Sequence, residues 1–177
     1  MQGEMADFNK NLWAPWRMEY IRALGREPAE EACFLCGYWE HPEQDEENHV
    51  IWRTASTFAA MNRFPYTNGH LLIAHAAHKS DFADLSEDEL MEMTRTVRDA
   101  VSVLRKTLSP QGFNIGYNLG RCAGAGLPGH LHAHIVPRWS GDTNFMAVIG
   151  DSRVIPDALD ALCTELIGNA QAAGIRT

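Results

Sequence analysis

Short runs of alternating or continuous apolar residues fill the middle of the chain and predict a β-sheet. The runs VIWRT, TFAAMN and HLLIAH lie within residues 50–75, and AS and FPYTNG separate them. Pro65, Asn68 and Gly69 give the second separator the composition of a turn. GFNIGYNLG, LHAHIVPRW and FMAVIG follow in the second half. We therefore predict a meander of three antiparallel strands, joined later by further strands.

Two other segments repeat their apolar residues at helical spacing. In LSEDELMEMTRTVRDAVSVLRKTL the repeat falls on Leu90, Met93, Val97, Val101 and Leu104. Ser86 and Glu89 form a capping box there, and Leu85 is placed to act as a hydrophobic staple. IPDALDALCTELIGNAQAAG is a second helical segment, opened by Pro156. The order of strands, helix, strands and helix predicts an α+β fold with an antiparallel sheet.

The chain divides by pattern into three parts. Residues 1–49 lack regular periodicity and are predicted to form an extended arm, which includes the acidic loop EHPEQDEENHV. Residues 50–150 form the predicted catalytic domain, and residues 151–177 contain the C-terminal helix. With 177 residues, 45% of them hydrophobic, the chain is large enough for one domain with a substantial core.

Charge and hydropathy limit the classes of partner. The formal net charge of −8 argues against a nucleic-acid polymer, because such binding depends on many lysine and arginine side chains. The longest apolar runs are well below the roughly 18 residues of a membrane-spanning helix. We therefore expect a cytoplasmic protein. A small anionic ligand stays compatible with this charge, because one pocket can be locally positive.

The stretch GHLHAHIVPRW places His130, His132 and His134 on one face of a predicted strand. Three readings are open: hydrogen-bonded structural histidines, a metal site, or covalent catalysis in which one imidazole attacks a phosphoryl group. The loop GAGLPG directly precedes the histidines, and the backbone at Gly124 and Gly126 can approach a phosphate closely. This loop favours an anionic substrate.

The pattern His-φ-His-φ-His-φ-φ, the glycine loop and the upstream NRFPYTNGHLLIAHAAH resemble the histidine triad (HIT) superfamily of nucleotide hydrolases and transferases. LWAPWRMEYI and PRWSGDTNFM resemble more narrowly a bacterial branch with diadenosine tetraphosphate phosphorylases and hydrolases. The resemblance implies that His132 is the nucleophile, which forms a nucleotidyl-histidine intermediate. It also implies that His134 contacts the phosphate or the leaving oxygen. A homodimer with a continuous sheet is expected by analogy.

The same resemblance implies substrate contacts. Asn62 would hold the ribose hydroxyls, and Asn118 would contact the phosphate chain. Many relatives carry a Ser, Thr or Gln just before the first histidine, but this chain has GLPG there, so backbone amides or Arg121 would have to replace that side chain. Water and phosphate are both possible acceptors, and a non-catalytic nucleotide sensor is a further alternative.

Cys33 and Cys36 form a Cys-x-x-Cys pair, which is half of a tetrahedral zinc site or a redox pair. His75, His78 and His130 are the histidines best placed by sequence to complete it. The resemblance to galactose-phosphate uridylyltransferases implies that His78 and His130 complete the site, and hence a closed structural zinc.

Four remaining interpretations concern single residues or a cluster. Arg138 is expected to contact phosphate or to pair with Asp142. Cys122 and Cys163 are expected to be small hydrophobic residues. The cluster of Trp13, Trp16, Arg17 and Tyr20 either covers one side of a nucleotide pocket or, as we expect, anchors the arm to a core or a dimer partner.

Overall fold

The computed structural model describes residues 33–142 and 158–175. In these residues five strands form one antiparallel sheet in the order β1-β2-β3-β5-β4. The strands are β1 Val50–Arg53, β2 Thr57–Met61, β3 Leu71–His75, β4 Gly112–Tyr117 and β5 His132–Arg138. The predicted meander is confirmed as β1 to β3, and β5 lies between β3 and β4. FMAVIG and the aromatic cluster of residues 13–20 lie outside the described residues.

The helices within the described ranges are α1 Phe34–Glu40, α2 Glu87–Leu108 and α3 Leu159–Ala172. The capping box of α2 is confirmed, because the Ser86 hydroxyl accepts the Glu89 amide at 3.3 Å and the Glu89 carboxylate accepts the Ser86 amide at 2.7 Å. Helix α3 is confirmed as an element, although it begins at Leu159 and Pro156 lies outside the described residues. No helix in the described ranges is both long and apolar enough to cross a membrane.

Helix α1 corrects the expectation that residues 1–49 form an extended arm throughout. Cys33 caps this helix, because its Sγ accepts the Cys36 amide at 3.5 Å. Leu35 and Tyr38 are buried against the sheet, so tertiary packing stabilises a helix too short to form alone. The predicted boundaries at residues 49 and 150 stay predictions.

The residues that helix α2 buries differ from those of the predicted apolar repeat. Its buried residues are Met93, Thr96, Ala100, Val103 and Leu104. Val97 and Val101 are only partly buried at the edge of the core. The difference arises at Thr96, whose hydroxyl lies 2.8 Å from that of Thr57 on β2, so a polar pair occupies an inward position that the apolar pattern did not mark.

The two faces of the sheet carry different structures. Helices α2 and α3 cover one face, where Ala133 and Ile135 of β5 join the main core. On β5, the side chains of His132 and His134 alternate with these residues and lie on the opposite face. Helix α1 packs on that opposite face, in a second apolar cluster that includes Phe58. The histidines therefore share a face with the helix that carries Cys36.

Candidate metal centre and active site

Cys33, Cys36, His78 and His130 meet in one cluster, with their ligand atoms all within 4.8 Å of one another. The Cys33 Sγ lies 3.2 Å from His130 Nδ1, and the Cys36 Sγ lies 3.2 Å from His78 Nδ1. His130 is buried, both cysteines are partly buried and His78 is exposed. The structure thus brings together the four predicted metal-binding residues.

The donor set fits zinc. Two sulfur and two nitrogen ligands around a tetrahedral zinc ion would lie roughly 3.3–3.8 Å apart, and the contacts here lie just below or within that range. Burial and the nearby Cys33 raise the pKa of the Cys36 thiol to about 11, so a cation is needed to keep the Cys36 sulfur as a thiolate. A Cβ on Gly129 would lie 3.1 Å from His78 Nε2, so any other residue there would require this exposed ring to shift by a few tenths of an ångström.

Arg53 holds the cysteine-bearing helix on the sheet. Its guanidinium donates to the backbone carbonyl of Tyr38 at 2.6 Å and to that of Trp39 at 3.3 Å. These carbonyls belong to the last turn of α1, where helix acceptors otherwise lack partners. Arg53 also pairs with Asp45, which fixes the guanidinium in position. Contacts outside the metal cluster therefore orient the Cys-x-x-Cys segment.

His132 is buried and presents one defined nitrogen to its surroundings. Its Nδ1 lies 2.7 Å from the carbonyl oxygen of His130, so Nδ1 carries the proton and Nε2 keeps its lone pair. Burial lowers the pKa of His132, while the bond to the carbonyl opposes that shift. The imidazole is therefore held neutral in the tautomer that leaves Nε2 nucleophilic.

His130 connects the metal cluster to this nucleophilic histidine. Its Nδ1 faces the cysteines, its Nε2 donates to the carbonyl of His75 at 2.8 Å, and its own carbonyl accepts from His132. One correction concerns its location: β5 begins at His132, so His130 precedes the strand. The three histidines therefore do not all lie on one strand, and His130, which lies before the strand, contacts Cys33.

His134 lies between two polar side chains. Its Nδ1 is 3.0 Å from His70 Nε2, and its Nε2 is 3.4 Å from the side-chain nitrogen of Asn118. Burial, followed by the neighbouring His132, lowers the pKa of His134 to about 4. His134 is therefore a neutral imidazole near pH 7, with one ring N–H that can donate a hydrogen bond.

Sequence reasoning missed His70, which is completely buried. The Tyr66 amide donates to His70 Nδ1 at 3.1 Å, which puts the proton of a neutral His70 on Nε2, facing His134. His134 then accepts at Nδ1 and carries its own proton on Nε2, so the 3.4 Å separation from the Asn118 nitrogen joins two donors and is not a hydrogen bond in this tautomer. One feature of the sequence could have identified His70 as a site residue. His70 opens the run HLLIAH and lies two residues before Leu72, and Leu72 pairs with His134 across the sheet.

Two of the predicted substrate-binding residues are in contact with His134, Asn118 directly and Asn62 through His70. Asn62 follows β2, accepts the Phe64 amide at 2.9 Å and lies 3.3 Å from His70 Nδ1. The Asn118 amide group also lies 3.5 Å from the carbonyl of Gly124. Gly124 has a φ of 91° and donates its own amide to Arg121, so that amide is engaged within the loop. Gly126 is exposed in the same loop.

Several other residues lie apart from the cluster. Arg138 donates to Asp142 at 2.8 Å and to Asn114 at 2.6 Å, so the ion pair is the interpretation that the structure supports. Cys163 is buried in the main core, as expected. Cys122 is exposed, which contradicts its interpretation as a small core residue, because it lies in a short turn of the glycine loop.

Comparisons with known proteins match the same segment. The sequence profile of the HIT domain matches residues 43–141, which include β1 to β5 and the histidines but not Cys33 or Cys36. The AP-4-A phosphorylase of Mycobacterium tuberculosis is 39% identical over 153 residues, which cover 85% of this chain and 78% of that protein. The asymmetrical bis(5'-nucleosyl)-tetraphosphatase of Schizosaccharomyces pombe is 34% identical over 95 residues, which cover 54% of this chain and 52% of that protein. A zinc-bound histidine triad family protein from Mycobacterium smegmatis has a TM-score of 0.64 at 25% identity, with 81% of this chain and 96% of that chain covered.

Proposed function

We propose that this chain, which belongs to the HIT-domain family, cleaves the phosphoanhydride of a dinucleoside polyphosphate through a nucleotidyl-histidine intermediate on His132. The observation that carries the proposal is the bond from His132 Nδ1 to the His130 carbonyl, because it leaves Nε2 unprotonated for attack on phosphorus. The similarity to the phosphorylase of Mycobacterium tuberculosis supports a dinucleoside polyphosphate such as diadenosine tetraphosphate as the substrate.

In the first step, His132 Nε2 forms a bond to the α-phosphorus, and the bond from that phosphorus to the bridging oxygen breaks. The departing nucleotide leaves with the bridging oxygen and its electron pair. His134 donates a hydrogen bond to this oxygen from Nε2, because the contacts of Tyr66 and His70 keep Nδ1 as the acceptor. In the second step, an oxygen of phosphate or water forms a bond to the phosphorus, and the bond from phosphorus to Nε2 breaks with its electron pair returning to Nε2. Any proton displaced from the acceptor leaves to solvent, and free His132 is restored.

The remaining site residues hold the substrate. Asn62 contacts the ribose hydroxyls, and Asn118 contacts the phosphate chain beside His134. Gly124 and Gly126 let the loop backbone approach the phosphates, where many relatives use a hydroxyl or amide side chain. The Gly124 amide already donates to the Arg121 carbonyl, so Gly124 only shapes the loop. Gly126 is therefore the better candidate for a backbone amide that contacts a phosphate.

Cys33, Cys36, His78 and His130 would hold a structural zinc ion, which when bound supplies a rigid cross-link between α1 and the residues before β5. All four ligand positions belong to the protein, which is typical of a closed structural site. The chain's own contribution to the reaction through this cluster is the placement of the His130 carbonyl, which orients His132.

Incubation with diadenosine tetraphosphate, with and without inorganic phosphate, tests the function. We expect ADP and ATP in the presence of phosphate, because the phosphorylase relative matches 85% of the chain and the hydrolytic relative only 54%. AMP and ATP in both conditions would contradict phosphate as the acceptor and identify water instead. Bound nucleotide without turnover, with an active phosphorylase run in parallel, would contradict the enzymatic function and favour the sensor.

We also propose a homodimer that pairs through β4. Among the described residues β4 is hydrogen-bonded on one side only, to β5, and Asn114, Ile115 and Gly116 on it are exposed. An edge with exposed backbone groups and an isoleucine is suited to extending the sheet into a second copy. In sedimentation equilibrium we expect twice the chain mass for the wild type and for Gln44→Lys, near the opposite edge. Ile115→Lys is expected to shift the mass to that of one chain, and an unchanged dimer would contradict this interface.

A cytoplasmic location completes the proposal. Thiols stay reduced in that compartment, which suits Cys33 and Cys36 as metal ligands. Fractionation of cells that contain the protein is expected to place it with the cytoplasmic enzymes, and recovery in an oxidising compartment would contradict the location.

A further inference from the structure

The turn from His75 to Lys79 carries His78, the exposed member of the zinc cluster. The ring of His78 contacts Cys36, and the residues before it are held by one bond within the turn and one bond to the residue before β2. The Ala77 amide donates to His75 Nδ1 at 3.0 Å, and the Ala76 amide donates to the Ser56 carbonyl at 2.7 Å. The position of an exposed ligand therefore depends on how firmly this turn is held.

Glu89, in the first turn of α2, contacts the turn at both ends. Its two carboxylate oxygens accept from Lys79 Nζ at 2.7 and 2.8 Å. Its Oε1 also lies 3.1 Å from the buried His75 Nε2, although that ring nitrogen is not aligned for a hydrogen bond. The carboxylate is thus the one charged group that faces both His75 and Lys79 within the described contacts.

The same two residues touch the segment that leads into β5. The Lys79 carbonyl accepts the Leu131 amide at 2.6 Å, and the His75 carbonyl accepts from Nε2 of His130 at 2.8 Å. Each end of the turn therefore binds the chain at or beside the buried zinc ligand His130. A carboxylate that fixes the turn consequently acts on both histidine ligands.

We propose that Glu89 is a positioning residue for the zinc site: its carboxylate holds the 75–79 turn so that His78 and His130 face Cys33 and Cys36. The inference rests on the zinc assignment within the proposed function. Groups that orient metal ligands from the surrounding shell commonly change metal affinity by about 10–100-fold when they are replaced. The capping of α2 is therefore only one part of what Glu89 does.

Glu89→Gln tests this proposal, with Ser86→Ala as the matched control. The glutamine keeps the length of the side chain and an oxygen for the Ser86 amide, but it removes the negative charge that binds Lys79. Ser86→Ala breaks the other half of the capping box and leaves the Glu89 carboxylate in place. In competition with a chromogenic chelator, we expect Glu89→Gln to lower zinc affinity about tenfold or more and Ser86→Ala to change it less than about twofold.

Cobalt substitution supplies a spectroscopic measurement. The visible bands of a tetrahedral cobalt site with two thiolates should appear in the wild type and in Ser86→Ala, and they should weaken or shift in Glu89→Gln.

Lys79→Met leaves both Glu89 and Ser86 intact and is also expected to lower zinc affinity. It replaces Glu89→Gln as the test if that variant does not fold. Wild-type zinc affinity in both Glu89→Gln and Lys79→Met would overturn the proposal. Failure of the wild type to bind equimolar zinc would instead contradict the zinc assignment itself.

Discussion

Replacing His132 with alanine is expected to lower turnover of diadenosine tetraphosphate by about 10⁴-fold or more, because the covalent route then has no nucleophile. The substitution leaves the His70, His134 and Asn118 contacts intact, so nucleotide binding is expected to persist. Initial rates and equilibrium binding of a non-hydrolysable ATP analogue measure the two effects separately.

Two other histidine variants serve as comparisons for His132→Ala. His134→Ala is expected to lose about 10²–10³-fold, in the range of a group that donates a hydrogen bond to the negative charge developing on a leaving oxygen. His41→Ala removes an exposed histidine that contacts Glu43, outside the site, and is expected to keep wild-type turnover. A His132→Ala protein that turns over within tenfold of the wild type would exclude covalent catalysis at this residue.

Replacing Cys33 with alanine is expected to remove zinc from the purified protein and to lower its melting temperature. A ligand that binds only the native state at about 1,000 times its Kd stabilises that state by about 4 kcal/mol. For a chain of this size, such a loss corresponds to roughly 10 °C in Tm. Elemental analysis and thermal unfolding with and without added zinc measure the effects, and the zinc-dependent part of Tm should vanish in the variant.

Cys122→Ala is the matched control for Cys33→Ala, because Cys122 is exposed and outside the metal cluster. It is expected to retain equimolar zinc and the Tm of the wild type. A Cys33→Ala protein that keeps its metal, and whose activity requires added metal, would favour the alternative in which the three histidines around β5 bind the ion. That result would remove His130 from the structural site.

Much of the fold could be predicted because local signals and tertiary packing agree. The capping box at Ser86 and Glu89 marked the start of α2, and turn residues separated β2 from β3. Helix α1 could not be predicted, because its seven residues depend on Cys33 at its start and on Arg53, far along the chain, at its end. Its stability comes from contacts that no local periodicity records.

The parts of the candidate site whose residues are close in sequence could be predicted. The parts whose contacts depend on the register between strands could not. The Cys-x-x-Cys and the alternating histidines are local patterns, so they could be recognised directly. His70 reaches His134 only through the pairing of β3 with β5, which the sequence does not specify. Glu89 was recognised as a helix cap, but its contact with Lys79 depends on the fold of the 75–79 turn.

Capture of the nucleotidyl-enzyme tests covalent catalysis at His132 most directly. Wild-type protein and diadenosine tetraphosphate, mixed without phosphate and quenched in alkaline denaturant during the first turnover, would be digested and analysed by tandem mass spectrometry. A phosphoramidate on histidine survives alkaline conditions, so covalent catalysis at His132 predicts one nucleotidyl group on the peptide that contains this residue. First-turnover product formed at the full rate with no such group, or with the group on another residue, would contradict it.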